Sequence, residues 1–211
     1  MFVIKSDLKR FLLKHPTTNG FIVICALIAL ATIFLHGGYS STSIVDFGGL
    51  DKELIEEGQL WRLFTYGFGH MSLFHLLLNI PVLLFLAHPL EKYYGRRLFF
   101  VISIFLTTAA GITIYYFYEG PYPLAGSSGF GYGLMGIYAF YLIKHSSKLS
   151  SYDKKLILFI LLIGIISTFT VPNISVSGHI GGLISGFSLA FILYSLKKGL
   201  KTKQFYTVPS N

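Results

Sequence analysis

The chain has 211 residues, of which 53% are hydrophobic, 17% aromatic and only 12% charged, against about 25% charged in an ordinary soluble domain. That balance excludes a soluble globular protein, and it excludes a disordered chain, which needs the opposite composition. The formal charge of +8 raises nucleic-acid binding only if the cations cluster on one face, and the single cysteine, Cys25, excludes an intrachain disulfide and any zinc site built on paired thiolates.

A membrane-crossing helix takes about 20 mostly apolar residues, and stretches free of Asp, Glu, Lys and Arg mark the candidates in chain order. The first runs from about Gly20 to His36, the second from about Gly69 to His88, the third from Leu98 to Tyr118, and the fourth from near Ser127 to Lys144. Leu156 to Leu196 gives 41 residues without formal charge. As one straight helix they would reach about 60 Å, twice a bilayer. Pro172 and Asn173, near the middle, supply turn chemistry. The stretch is therefore two helices, and the spans number six.

Cytoplasmic loops are enriched in Lys and Arg. With six spans both ends share one side, and that side carries 15 of the 17 basic residues, in clusters at 5–14, 92–97, 144–155 and 197–203. The other side carries Lys52 and Arg62 with six acids: Asp46, Asp51, Glu53, Glu56, Glu57 and Glu119. The chain is read as N-in and C-in, and its positive charge as membrane topology rather than nucleic-acid binding. Residues 1–18 form a cytoplasmic arm, 19–196 the membrane domain and 197–211 a basic cytoplasmic tail. A cleaved signal peptide is disfavoured, because the charged lead is long and no A-x-A site follows the first apolar run. The long outer connection, 37–69, contains Leu60, Trp61, Leu63 and Phe64, and is expected to fold back into the outer leaflet with its tryptophan at the interface.

Polar residues at membrane depth are functional candidates. In the run GHMSLFHLLLN, His75 and Asn79 are four apart and share a helix face, whereas His70 is five from His75 and points elsewhere on a continuous helix, which disfavours a shared metal. His75 and Asn79 either hold the bundle together through interhelical hydrogen bonds or serve a site. Gly126-Ser127-Ser128-Gly129 places a serine at a glycine-flanked turn into a helix, where backbone N–H groups are unpaired and a nucleophile can be exposed. Gly129, Gly133 and Gly136 then form a stripe, matched in SGHIGGLISGF by Gly178, Gly182 and Gly186, with His179 beside the first. Helices with such stripes can pack backbone to backbone. Ser128 and His179, both at outer helix ends, would then come within about 3 Å, as a nucleophile and its base require. The structural alternative is tight packing with an incidental histidine. Glu119 is the only carboxylate near the outer end of a span, and it precedes a proline-bearing loop, so no acid is available to complete a triad and the chemistry would be a dyad. Tyr132, one turn after Ser128, either packs on His179 or fills space.

These residues together resemble the rhomboid intramembrane serine proteases of the bacterial type. The resemblance runs in order through Trp61-Arg62, the H-x4-H-x3-N run of His70, His75 and Asn79, Glu91 to Gly95, Gly126-Ser127-Ser128-Gly129 with Tyr132 and Gly136, and His179 with Gly182 and Gly186. It covers about 126 residues, Trp61 to Gly186. Gly178 stands where the family usually has alanine, and His88-Pro89 replaces a more usual glycine-containing pair. The resemblance implies an all-α bundle of six membrane helices around an outward-opening hydrophilic cavity. It implies cleavage of peptide bonds in or near the membrane-spanning segments of other proteins, with no cofactor and no metal. It makes Ser128 the nucleophile, His179 the general base, His75 and Asn79 oxyanion donors beside the Ser128 N–H, and Tyr132 the ring under His179. Trp61 and Arg62 become structural loop residues. The implied partners are transmembrane substrates and membrane lipid, in a bacterial cell membrane.

Three other classes compete. A small transporter with histidine proton relays would show an internal repeat, and none is found. An inactive rhomboid-like binding protein would typically lack the serine or histidine. A membrane metalloprotease would carry H-E-x-x-H, which is absent.

Overall fold

Long apolar runs in lipid have one local solution, the helix, because it alone satisfies its backbone within a single segment. The protein is described by a computed structural model covering residues 14–170 and 174–196, apart from the side chain of Lys148. Among these residues the helices are α1 (Pro16–His36), α2 (Ser41–Asp46), α3 (Lys52–Glu56), α4 (Arg62–Thr65), α5 (Leu73–Tyr94), α6 (Arg96–Phe117), α7 (Ser128–Lys144), α8 (Ser151–Thr170) and α9 (Val176–Leu196). A short 3-10 turn at Ser146–Lys148 joins α7 to α8. The expected cytoplasmic arm up to residue 13, the turn expected at Pro172-Asn173 and the expected tail at 197–211 lie outside the described residues.

Four helices, α1, α5, α6 and α9, are long and apolar enough to cross a membrane. α7 has only 17 residues, and α8 carries Asp153, Lys154 and Lys155 near its start. Large apolar side chains such as Phe34, Phe74, Phe117 and Phe169 stand exposed on the outside, a surface that suits hydrocarbon and would aggregate in water.

The helices overrun the charge-free stretches, and α5 shows why. It continues past His88 through Pro89, Glu91 and Lys92 to Tyr94. Glu91 is only 2% exposed, yet it is fully partnered. Its two carboxylate oxygens accept from the Thr17 and Thr18 backbone N–H groups at 2.8 and 2.9 Å, and from the Thr18 hydroxyl at 2.7 Å. Those are the orphan donors at the start of α1, where the helix dipole also favours an anion. Gly95, at φ 80°, then reverses the chain in a single residue before α6 begins at Arg96.

α7 is the centre of the bundle. Every residue from Gly129 to Tyr138 is buried, with α5, α6, α8 and α9 packed around it. Its contact with α9 is backbone on backbone. A Cβ on Gly182 would sit 2.3 Å from the Gly129 carbonyl oxygen, one on Gly186 only 1.8 Å from that of Gly133, and one on Gly136 2.1 Å from that of Leu183. The stripe expected between two helices in fact serves three. The Cβ positions of Gly129, Gly133 and Gly178 face Ala110, Leu106 and Ile114 of α6.

The 37–69 connection is folded. The Ser40 and Ser43 side chains form a capping box on α2, and Asp51 caps α3 by accepting from the Leu54 N–H at 3.1 Å. Trp61 is 52% exposed, while its neighbour Arg62 is buried. The guanidinium donates to the Val45 and Gly49 carbonyls at 2.7 and 2.9 Å and to Gln59 Oε1 at 2.8 Å, and lies 4.5 Å from the centre of the Trp61 ring. Leu50 and Leu124 exchange backbone hydrogen bonds of 2.8 and 2.9 Å, tying this loop to the segment that leads into α7.

Gly186→Ala is expected to lower stability by about 1–3 kcal/mol or more through overpacking at the α7–α9 contact. Gly20→Ala, with no atom within 4 Å of its Cβ site, should be neutral or mildly stabilising. Thermal unfolding in one detergent compares the two.

Candidate active site

The segment entering α7 is held from two sides before it reaches its serines. Leu124 pairs with Leu50, and the Gly126 N–H donates to the Tyr66 carbonyl at 3.0 Å. Ser127 is fully buried, its hydroxyl 3.1 Å from His70 Nε2. Ser128 opens α7 and is partly exposed. Adjacent serines thus have different environments, one inside a buried pair and one at a surface.

That surface is a small cleft of about 40 Å³, where roughly 10–15 Å³ holds one water. Ser128, His179, His75, Gly126 and Ser175 contribute to its lining. No hydrogen bond joins Ser128 Oγ to His179 in this conformation among the described residues, and catalytic hydrogen bonds are often long or poorly aligned before a substrate binds. His179 is buried and its ring is held on two sides. The Tyr132 ring stacks on it at 3.8 Å between centroids and 14° between planes, and Nδ1 lies 2.9 Å from Thr168 Oγ1. Nε2 makes no hydrogen bond to a described residue.

His75 lines the cleft from α5, held close to Gly126, where a Cβ would fall 2.7 Å from His75 Cε1. Only glycine permits that approach. Asn79 lies one turn along, buried outside the cleft lining, with Nδ2 donating to the His75 carbonyl at 2.9 Å. An amide nitrogen carries two protons, so one remains.

His70 is where the spacing argument needs correcting. It does not continue the α5 helix, which begins at Leu73 with the Ser72 hydroxyl capping the His75 N–H at 3.1 Å. From the preceding turn its ring approaches that of His75 edge to face at 5.2 Å. Among the described residues no group of three His, Cys, Asp or Glu is placed to hold a metal. Trp61, Arg62, Gly182 and Gly186 lie away from the cleft lining. The two residues that the motifs did not single out are Thr168, against His179, and Ser127 as the partner of His70. Ser167-Thr168 in an otherwise apolar stretch was the available signal for the first.

Set against known proteins, the family model described as Rhomboid domain matches residues 57–196. The rhomboid protease GluP of Bacillus subtilis is 32% identical over 198 residues, 92% of this chain but 38% of its own length. A second Bacillus subtilis protein, YdcA, is 28% identical over 202 residues, covering 94% of this chain and 98% of its own. The inactive rhomboid-related protein 2 of Caenorhabditis elegans is 25% identical over 218 residues, 96% of this chain and 61% of its own.

Of the two adjacent serines, Ser128 is the one expected to react with a fluorophosphonate. Labelling should survive Ser127→Ala and vanish in Ser128→Ala, as read by mass spectrometry of the labelled peptide. Label retained by Ser128→Ala contradicts the assignment.

Proposed function

The chain belongs to the rhomboid family, and from that premise we propose that it is an intramembrane serine protease, hydrolysing peptide bonds in or near the membrane-spanning segments of other membrane proteins. One observation carries this reading: the Ser128 hydroxyl, at the start of a helix, lines the same cleft as a histidine ring held by stacking and by a hydrogen bond. In the proposed reaction Ser128 Oγ attacks the scissile carbonyl while its proton passes to His179 Nε2, which later delivers it to the leaving amine. The oxyanion would be met by the unpaired Ser128 N–H, by the His75 ring and by the remaining amide proton of Asn79. The reaction needs no metal and no cofactor.

The proposed setting is a six-span membrane domain, 19–196, with a cytoplasmic arm and tail at 1–18 and 197–211, N-in and C-in, in a bacterial cell membrane. Ser128 and His179 then open toward the outer face. The substrate would be a transmembrane protein admitted between α5 and α8, the second of which packs mainly on α7. A backbone can reach Ser128 only after leaving its helical hydrogen bonds, and in lipid each unsatisfied group costs several kcal/mol. Segments weakened by glycine or proline near the outer face are therefore favoured. A second reading, a binding protein without protease activity, takes its support from the relative named inactive. The presence of both Ser128 and His179 favours the protease.

Cleavage of a single-span model substrate in proteoliposomes should disappear in Ser128→Ala and in His179→Ala at unchanged thermal stability. Wild-type protein that leaves a panel of such substrates intact while both residues are in place would support the binding reading instead. His75→Ala and Asn79→Ala should each lower the rate by about 10² to 10³, roughly 3 to 4 kcal/mol. Wild-type rates in both would remove the oxyanion assignment. Replacing helix-breaking residues of the substrate by leucine should slow cleavage, and equal rates across that series would show that unwinding does not select the substrate.

A further inference from the structure

We propose that Thr168 is a positioning residue that holds His179 as the Nδ1–H tautomer, leaving the Nε2 lone pair for Ser128; this rests on the Ser128–His179 reading above. The argument is a count of protons. Three short contacts meet at the Thr168 hydroxyl, and the neighbouring Ser167 hydroxyl donates to the Gly164 carbonyl at 2.9 Å and lies 3.3 Å from the Tyr132 hydroxyl. Thr168 Oγ1 lies 2.9 Å from His179 Nδ1, 2.7 Å from the Tyr132 hydroxyl and 2.9 Å from the Gly164 carbonyl oxygen. The Tyr132 hydroxyl also donates to the Gly164 carbonyl. That carbonyl has no proton to give, and each hydroxyl has one.

With the Tyr132 proton on Gly164, the Thr168 proton is taken by its own one-turn bond back to the Gly164 carbonyl at 2.9 Å, the usual partner of a helical threonine hydroxyl. If it went to Nδ1 instead, Thr168 Oγ1 would face two oxygens, at 2.7 and 2.9 Å, with no proton between them. A proton on Nδ1 reduces this shortage from two contacts to one, since Thr168 then accepts from the ring and its own proton stays within the α8 and Tyr132 network. A neutral imidazole carries one ring proton, so Nε2 is bare. Nε2 is also the nitrogen that makes no hydrogen bond to a described residue.

The same arrangement suits the step that follows. As the bond from Ser128 Oγ to the carbonyl carbon forms, the serine proton moves to Nε2 and the ring becomes a cation with its Nδ1–H still directed at Thr168. When the carbon–nitrogen bond breaks, Nε2 returns the proton to the amine and the ring regains its starting tautomer. Tyr132 has two parts in this device, stacking on the ring and bonding to the hydroxyl that reads its tautomer. The helix presenting Thr168 is anchored beside it, because Gly164 packs on Met135 and Tyr132.

The test uses the full chain in detergent micelles with ¹⁵N-labelled histidine, His179→Ala assigning the signals. In wild type at a pH where the ring is neutral, Nδ1 should resonate as the protonated nitrogen and Nε2 as the bare one; the reverse overturns the proposal without any substitution at Thr168. In kinetics, Thr168→Val should lower kcat about tenfold, the worth of one hydrogen bond, with KM little changed, and Thr168→Ser should restore the rate. A wild-type kcat in Thr168→Val, with His179→Ala inactive, overturns the role of Thr168 alone. Equal losses in the valine and serine variants also overturn it, because they indicate packing. Wild-type cleavage by His179→Ala would instead overturn the dyad beneath it.

Discussion

Everything near the cleft depends on how closely α7 and α9 approach. Lipid supplies no hydrophobic drive between helices, so their association rests on close packing and on polar contacts. Here the limit is backbone: the Cβ sites of Gly182 and Gly186 fall on the carbonyl oxygens of Gly129 and Gly133. That separation determines whether a residue at the start of α7 and one at the start of α9 can share a small cleft. α6 fixes the third side through Ala110, Leu106 and Ile114, so the helices cannot slide without opening gaps on two faces. Packing at this density has few alternative arrangements.

The 37–69 loop extends the same constraint to the chain before α7. Arg62 holds the loop together by donating to the Val45 and Gly49 carbonyls, and the loop in turn pairs Leu50 with Leu124. Tyr66 adds a bond to Gly126 and donates its hydroxyl to the Thr107 carbonyl at 3.1 Å. The glycine-serine turn is therefore bounded by loop, α6 and the His75 ring. A loop that reaches the cleft lining through Tyr66 alone among its described residues contributes to where Ser128 stands.

Much of this was legible in the sequence because charge avoidance and glycine spacing are local signals. The separate helices at 151–170 and 176–196 followed from length and a Pro-Asn pair, and the opposed stripes from two G-x-x-x-G units. Other features depend on partners distant in sequence. The extent of α5 beyond His88 requires knowing that Glu91 meets Thr17 and Thr18, and both Pro81 and Pro89 lie inside that helix, as membrane helices tolerate. The short helices α2, α3 and α4 are below the length at which propensity alone is informative. His70 was placed on a helix face by its spacing, but Ser72 starts the helix after it. The contact of Thr168 with His179 crosses a helix reversal, and no periodicity reports it.

The Glu91 carboxylate carries a consequence for how the chain assembles during synthesis. The donors it satisfies belong to the first turn of α1, yet it lies 73 residues after Thr18. At ribosomal rates of about 5–20 residues per second, roughly 4 to 15 s separate the two. Throughout that interval α1 lacks the cap that Glu91 later supplies to its leading N–H groups. The docking of α1 on α5 is thus a late event, completed only after the 37–69 loop and the second long helix have been made. A nascent chain stalled between these points would hold α1 in place by its apolar length alone, without a fixed rotation about its axis.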